Sequence, residues 1–200
     1  MSNVWFTADL HIGHAKVAED REHWTGPDHD SFLAELWDEQ VDKDDVVWIL
    51  GDISAGGTLA QLDALGWLLN RPGRKRLVAG NHDRIHPMHR DAQKLARNYW
   101  LAFEHISTAG RIRVPLDGGG HTSALLSHFP YTGDHTSEQR FSQWRLRDEG
   151  LILLHGHTHS RIVRSTMTHP RQIHVGLDAW QDLVPLDEVH AMVNDIEEGL

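Results

Sequence analysis

Leu151-Ile152-Leu153-Leu154-His155-Gly156-His157-Thr158-His159 decides the fold: four apolar residues run into a glycine and two alternating histidines. A short apolar run that ends in chemistry is the pattern of a buried strand with its functional residues at the carboxyl end. Upstream the pattern recurs. Val46-Val47-Trp48-Ile49-Leu50 leads into Gly51-Asp52, Arg76-Leu77-Val78-Ala79 into Gly80-Asn81-His82-Asp83, Val4-Trp5-Phe6 toward Asp9-Leu10-His11, and Thr122 to Leu126 into Ser127-His128. Oxygen and imidazole donors at the tips of several buried strands can all be aimed at one place by a rigid sheet.

Helical periodicity fills the gaps. Asp30 to Val41 spaces Phe32, Leu33, Leu36, Trp37 and Val41 as a helix does, and Leu59 to Leu69 repeats this with Leu62, Leu65, Leu68 and Leu69. The first half therefore reads βαβαβ, with a third helix expected from Asp91 to Ala102 after Pro87. In the second half, Arg111 to Leu116 and Thr122 to Leu126 flank the turn Asp117-Gly118-Gly119-Gly120 as a hairpin. Leu151 to Leu154 and Gln172 to Val175 read as further strands of a second sheet, and Asp187 to Leu200 as a closing helix with Val189, Met192, Val193 and Ile196 on one face. The chain is an α/β protein, and residues 1–200 read as one domain without repeats or a linker.

Composition narrows the partners. With 29 acidic against 19 basic residues the formal charge is -10, which disfavours extended nucleic-acid tracks and anionic membranes. A small or locally bound substrate is expected, with a homodimer as an open possibility. There is no cysteine, so any metal must be held by histidine, carboxylate and amide oxygen. No basic segment followed by an apolar stretch opens the chain, and no window approaches the roughly 20 apolar residues of a membrane span, so a cytoplasmic location is expected. Histidine is in excess, at 17 copies. Five fall in the clusters; His23, His29, His86, His89, His105, His135, His169, His174 and His190 are expected to be solvated or core residues, and His14, His121 and His155 stay undecided.

Taken singly, each cluster has a bland alternative. Asp9-x-His11 can offer a carboxylate and an imidazole to one cation, since residues two apart in extended backbone point the same way. Gly51-Asp52 can be a bridging carboxylate or an ordinary turn. Gly80-Asn81-His82-Asp83 is an amide, an imidazole and a carboxylate in succession, or an Asx turn capping a helix. Gly156-His157-Thr158-His159 is two ligands or two surface histidines on an edge strand.

In this order, the five clusters resemble the motifs of the calcineurin-like metallophosphoesterase family over residues 9 to 159, and Asp9 to His14 resembles the opening of its small bacterial and phage members. The resemblance implies a four-layer αββα sandwich of two mixed β-sheets flanked by helices, and two divalent metal ions: manganese for preference, with iron, zinc, nickel or cobalt as the other options. It implies that Asp9, His11 and His159 hold one ion, that Asn81, His128 and His157 hold the other, and that Asp52 bridges them. It further implies hydrolysis by a metal-bridging hydroxide between ions roughly 3.5–4 Å apart. Asn81, His82 and His14 then meet the substrate, with His82 as general acid and Asp83 orienting its ring. His14 could instead cap a helix.

Specificity is expected from Pro130 to Glu149, where Tyr131, Phe141 and Trp144 could stack on a base and Arg140, Arg145 and Arg147 could bind phosphate, unless the segment is an amphipathic helix packed on the core. The leading expectation is a phosphodiesterase for small diesters such as cyclic nucleotides. A phosphomonoesterase and a catalytically idle metal-binding scaffold are the alternatives.

Overall fold

A computed structural model describes residues 2–21, 29–165 and 167–199. Its centre is β2 (Val46–Ile49), buried at every residue because strands lie on both sides of it and apolar layers cover both faces. β1 (Val4–Thr7) and β3 (Arg74–Val78) flank it in parallel, β4 (His105–Ser107) continues the parallel order beyond β3, and β9 (Val184–Pro185) pairs antiparallel with β1. The second sheet begins with the expected hairpin of β5 (Gly110–Pro115) and β6 (His121–Leu126). To it β7 (Ile152–His155) and β8 (Gln172–His174) add in parallel. Both sheets are mixed, as the αββα reading requires.

Period-two alternation along β2 divides the interior. Val47 and Ile49 face a helical layer of α2 (His29–Gln40), α3 (Thr58–Leu69) and α4 (Ala96–Ala102), where Leu33, Trp37, Leu65, Leu68 and Tyr99 are buried. Val46, Trp48 and Leu50 point the other way, and with Phe6 and Val78 they pack on Ala124, Leu126, Ile152, Leu154 and Ile173 of the second sheet. α6 (Leu186–Glu198) adds Val189, Val193 and Ile196 to this inter-sheet core. Each large apolar side chain buried in these layers contributes about 1.5–3 kcal/mol, so the seam between the sheets is firmly fixed.

Two helical expectations differ in detail. The stretch from Asp91 splits into a 3-10 turn, Ala92–Lys94, and α4, because Leu95 has near-zero ψ rather than helical geometry. Pro130 to Glu149 is not an amphipathic helix; its only helical turn is Ser142–Trp144, and Phe141 before it has φ +59°. The segment crosses the outer side of the second sheet, where the Gln172 side chain accepts from the Thr132 amide at 2.8 Å and donates to its carbonyl at 3.1 Å. Short α1 (Ala15–Asp20) and α5 (Leu177–Trp180) complete the described elements, none of which is a helix long and apolar enough to cross a membrane.

Candidate metal centre

The motif loops leave the carboxyl ends of β1, β2, β3, β6 and β7 and brace one another before any side chain is considered. Asp9 N–H donates to the Gly51 carbonyl at 3.0 Å and His11 N–H to the Asp52 carbonyl at 3.1 Å, while His157 N–H donates to the Asp9 carboxylate at 3.0 Å. Asp9, His11, Asp52, His157 and His159 all have φ between +48° and +71°. The expectation that Asp9 and His11 share a face of extended backbone is therefore corrected. Their side chains meet because crossing tight turns hold left-handed conformations, each costing roughly 1–3 kcal/mol, which the surrounding structure over-determines. Gly51, at φ +90°, and Gly80 let these turns touch: an added Cβ on Gly51 would strike the His128 ring, and one on Gly80 the Asp52 carboxylate. Gly51→Ala should destabilise the chain by about 3 kcal/mol, read as a lower urea midpoint with unchanged slope.

The seven expected ligands come together. His11 Nε2 and His159 Nε2 lie 3.2 Å apart, with Asp9 beside them. On the other side His128 Nε2 is 3.2 Å from His157 Nδ1 and 3.1 Å from Asn81 Oδ1, and 3.4 Å from Asp52 Oδ2. These spacings suit a cation. Donors placed about 2.1 Å from one ion at tetrahedral or octahedral angles are roughly 3.0–3.4 Å from each other. The outward nitrogens agree, because His128 Nδ1 donates to the Leu50 carbonyl at 2.8 Å, His157 Nε2 meets Asp134 Oδ2 at 3.1 Å and His159 Nδ1 meets Asp178 Oδ2 at 2.9 Å. Acceptors on those sides direct lone pairs toward the centre. The donor set thus fits two divalent ions without thiolate.

One expectation needs correction, and two alternatives left open by the sequence are narrowed. Asp83 does not orient His82: its carboxylate accepts the backbone N–H groups of Gly80, Asp52 and Ile53 at 2.8, 2.9 and 3.0 Å, so it staples two motif loops together. His82 carries a half-exposed ring with Nε2 4.0 Å from Asp52 Oδ2. His14 stands at the start of α1 without a side-chain cap bond and lines the cleft instead. The aromatic residues of Pro130 to Glu149 turn inward: Phe141 packs on Phe129 and His157, Trp144 on His86, and the Tyr131 hydroxyl donates to the Leu151 carbonyl. Of the arginines there, Arg140 and Arg145 grip Asp134 and Arg147 pairs with Glu149.

Sequence reasoning missed other neighbours. Asp134, Asp178 and Arg21 belong to no motif. His135, expected to be solvated or core, lines the cleft, and buried His174 brings Nε2 to 3.8 Å from Asp9 Oδ2. His89 lies 2.9 Å from the Asn81 carbonyl. His23 lies outside the described residues. The cleft over His11 and His159 has a volume of about 340 Å³, with His14, Lys16, His82, His135 and Arg161 on its walls.

Protons substitute for cations in the metal-free chain. Burial pushes the Asp52 and Asp83 carboxyls up to about 7, with the charge of Asp9 adding to the rise at Asp52 and the charge of Asp52 to that at Asp83. Burial lowers His11 well below its ordinary value and His157 to about 3, keeping both neutral. His159 goes the other way: burial opposes its charge, but Asp178 and Asp9 raise it to about 9. All three raised groups favour the metal-free fold when protonated. That contribution is complete at low pH and is lost as pH climbs through about 7 for the carboxyls and about 9 for His159. Divalent ions replace the protons of Asp52 and His159, so the rise in Tm on adding manganese should be larger at pH 8.5 than at pH 6, with proton release on binding. An equal rise at both pH values would refute this.

The chain is 82% identical over 200 residues to the "Gene 66 protein" of Mycobacterium phage D29, all of both chains being covered. It is 62% identical to the "Gene 66 protein" of Mycobacterium phage L5, covering 99% of this chain and 97% of that one. A crystal structure of a protein of unknown function from Aquifex aeolicus shares the fold at TM-score 0.66 and 19% identity, covering 96% of this chain and all of that one. The family model described as calcineurin-like phosphoesterase matches residues 2–161, the span that carries all five motif loops. By that match, on loops whose donors converge in the manner of a two-cation centre, the chain belongs to the calcineurin-like phosphoesterase family.

Proposed function

We propose that the protein is a metal-dependent phosphodiesterase for small diesters, cyclic nucleotides among them. The observation that carries this reading is the pairing of two donor groups about Asp52, namely Asp9, His11 and His159 against Asn81, His128 and His157, with the half-exposed His82 ring beside Asp52. Two divalent ions held there supply Lewis acidity, lowering the pKa of water and neutralising phosphate charge. Asp9 and Asp52 contribute the negative charge that holds such ions. His128 and His157, held neutral by burial, contribute lone pairs at neutral pH. His82 faces the cleft and donates a proton to the leaving oxygen. Asn81 and His14 help seat the phosphate.

Small substrates suit the surroundings. The basic run Arg71 to Arg76 lies at the amino end of β3, away from the motif loops; its arginines pair with Asp38 and Glu104, and Lys75 donates to the Arg71 carbonyl. Among the described residues no tyrosine, phenylalanine or tryptophan lines the cleft, and the imidazoles with Lys16 and Arg161 offer charge and hydrogen bonding to a small anion. Lys16 and Arg161 share its wall with Asp20 and Asp178, and the two cations support one second reading, a phosphomonoesterase, because a dianionic phosphate gains more beside a cation than a monoanionic diester does.

Metal-stripped protein titrated with manganese should cleave bis-p-nitrophenyl phosphate faster than p-nitrophenyl phosphate. Faster monoester cleavage would replace this reading with the second. Bound metal without turnover on either would leave the idle scaffold.

A further inference from the structure

Both imidazoles of the Gly156 to His159 loop are backed by carboxylates that arginines hold in place. Behind His157, the Asp134 side chain is shielded from solvent and takes Arg140 at 2.8 Å and Arg145 at 3.2 Å. Arg145 is anchored in turn on the carbonyls of Pro130 and Gly133 at 3.1 and 2.9 Å. Behind His159, Asp178 receives two Arg21 hydrogen bonds, both of 3.1 Å, and Arg21 also donates to the carbonyls of Asp9 at 2.6 Å and Leu10 at 3.4 Å. The two clamps come from different places, Asp134 from the segment after β6 and Asp178 from α5. Asp178 also lies beyond the residues that match the family model.

We propose that Asp178 and Asp134 are positioning residues with divided duties: Asp178 sets the divalent-cation affinity of the Asp9, His11, His159 group, and Asp134 that of the Asn81, His128, His157 group. A carboxylate behind an imidazole fixes its tautomer and ring angle and raises the basicity of the nitrogen facing the ion. Each clamp reaches one ligand histidine, so each should act on one cation. Asp134, His135 and His157 could also be read as a metal triad, since their donor atoms lie within 4.8 Å of one another. Two guanidinium groups on the same carboxylate oppose that, because they already neutralise it.

The proposal rests on the two-cation reading of the centre, and its test does not measure hydrolysis, so the failure of one can be told from the failure of the other. Manganese binding to metal-stripped protein is followed by electron paramagnetic resonance in two backgrounds. Asn81→Ala leaves the Asp9, His11, His159 group intact, and His11→Ala leaves the Asn81, His128, His157 group intact. In the first, Asp178→Asn should weaken binding about ten- to a hundredfold while Asp134→Asn changes it less than about twofold; in the second the order should reverse. Equal losses in both backgrounds, or no loss in either, overturn the proposal. Circular dichroism and thermal unfolding establish that each variant is folded. Where an asparagine variant is not, Asp178→Glu or Asp134→Glu, which keeps the charge but shifts the carboxylate, should show the same selectivity at about tenfold, and an unselective loss there overturns the proposal equally.

Discussion

Asp52→Asn will lower metal-dependent hydrolysis of bis-p-nitrophenyl phosphate by about a thousandfold or more and leave the chain binding one manganese ion tightly rather than two. The side chain is almost wholly buried, with Oδ2 facing His128 Nε2 at 3.4 Å and Oδ1 accepting the His82 amide at 2.8 Å. Asparagine keeps the volume and can keep the bond from His82, so the fold should survive. What disappears is the one negative charge that stands between the two donor groups. Two cations a few ångströms apart repel strongly in a buried site, and a neutral amide does not offset that repulsion. Charge stabilisation at such centres amounts to several kcal/mol, and each 1.36 kcal/mol is tenfold in rate. Turnover within about tenfold of the parent, with two ions still bound, would show that Asp52 does not bridge.

How far the sequence speaks depends on where each determinant lies. β2 and β7 were legible because a central strand must be apolar on both faces, and the residues that follow announce its carboxyl end. β9 was not, since two residues pairing with β1 carry no periodic signal. The site divides similarly. Its inward donors sit next to strand ends, in clusters whose order resembles the family's motifs and so marks them, whereas Asp134 and Asp178 reach the site only through tertiary folding. Nothing in Gly133-Asp134-His135 or Leu177-Asp178-Ala179 separates these from surface aspartates. The left-handed turns were likewise hidden, because aspartate and histidine seldom adopt positive φ without a fold that enforces it.

Asp83 shows how a motif can be recognised and its role misassigned. Adjacency to His82 suggested a carboxylate that orients the ring, yet the side chain turns inward to three amides. The amides of Gly80, Asp52 and Ile53 would otherwise be buried donors without acceptors, each costing about 1–3 kcal/mol. Pro130 to Glu149 carries the complementary lesson. Its aromatic and basic residues left a substrate surface and packing on the core both open, and the side chains pack: Phe141 lies against His157, Trp144 against His86, and Arg145 is anchored on the Gly133 carbonyl. The cleft is lined instead by imidazoles and by the side chains of Lys16 and Arg161.

The leaving group reports what His82 does. If its ring donates a proton, His82→Ala should slow cleavage of a dialkyl phosphodiester by about a hundred- to ten-thousandfold, the range a positioned general acid contributes. Nitrophenolate departs without needing a proton, so bis-p-nitrophenyl phosphate should lose only about tenfold with the same variant, through lost contact with phosphate. That difference separates proton donation from simple anion binding, which would slow both diesters alike. The geometry allows the distinction, since the ring is half exposed on the cleft and makes no side-chain hydrogen bond within 3.5 Å to any described residue. Removing it should leave the donor groups about Asp52 in place, and manganese affinity is expected to stay within about threefold of the parent. Equal losses on both leaving groups, at unchanged metal content, would reassign His82 to holding the phosphate and leave proton delivery to water.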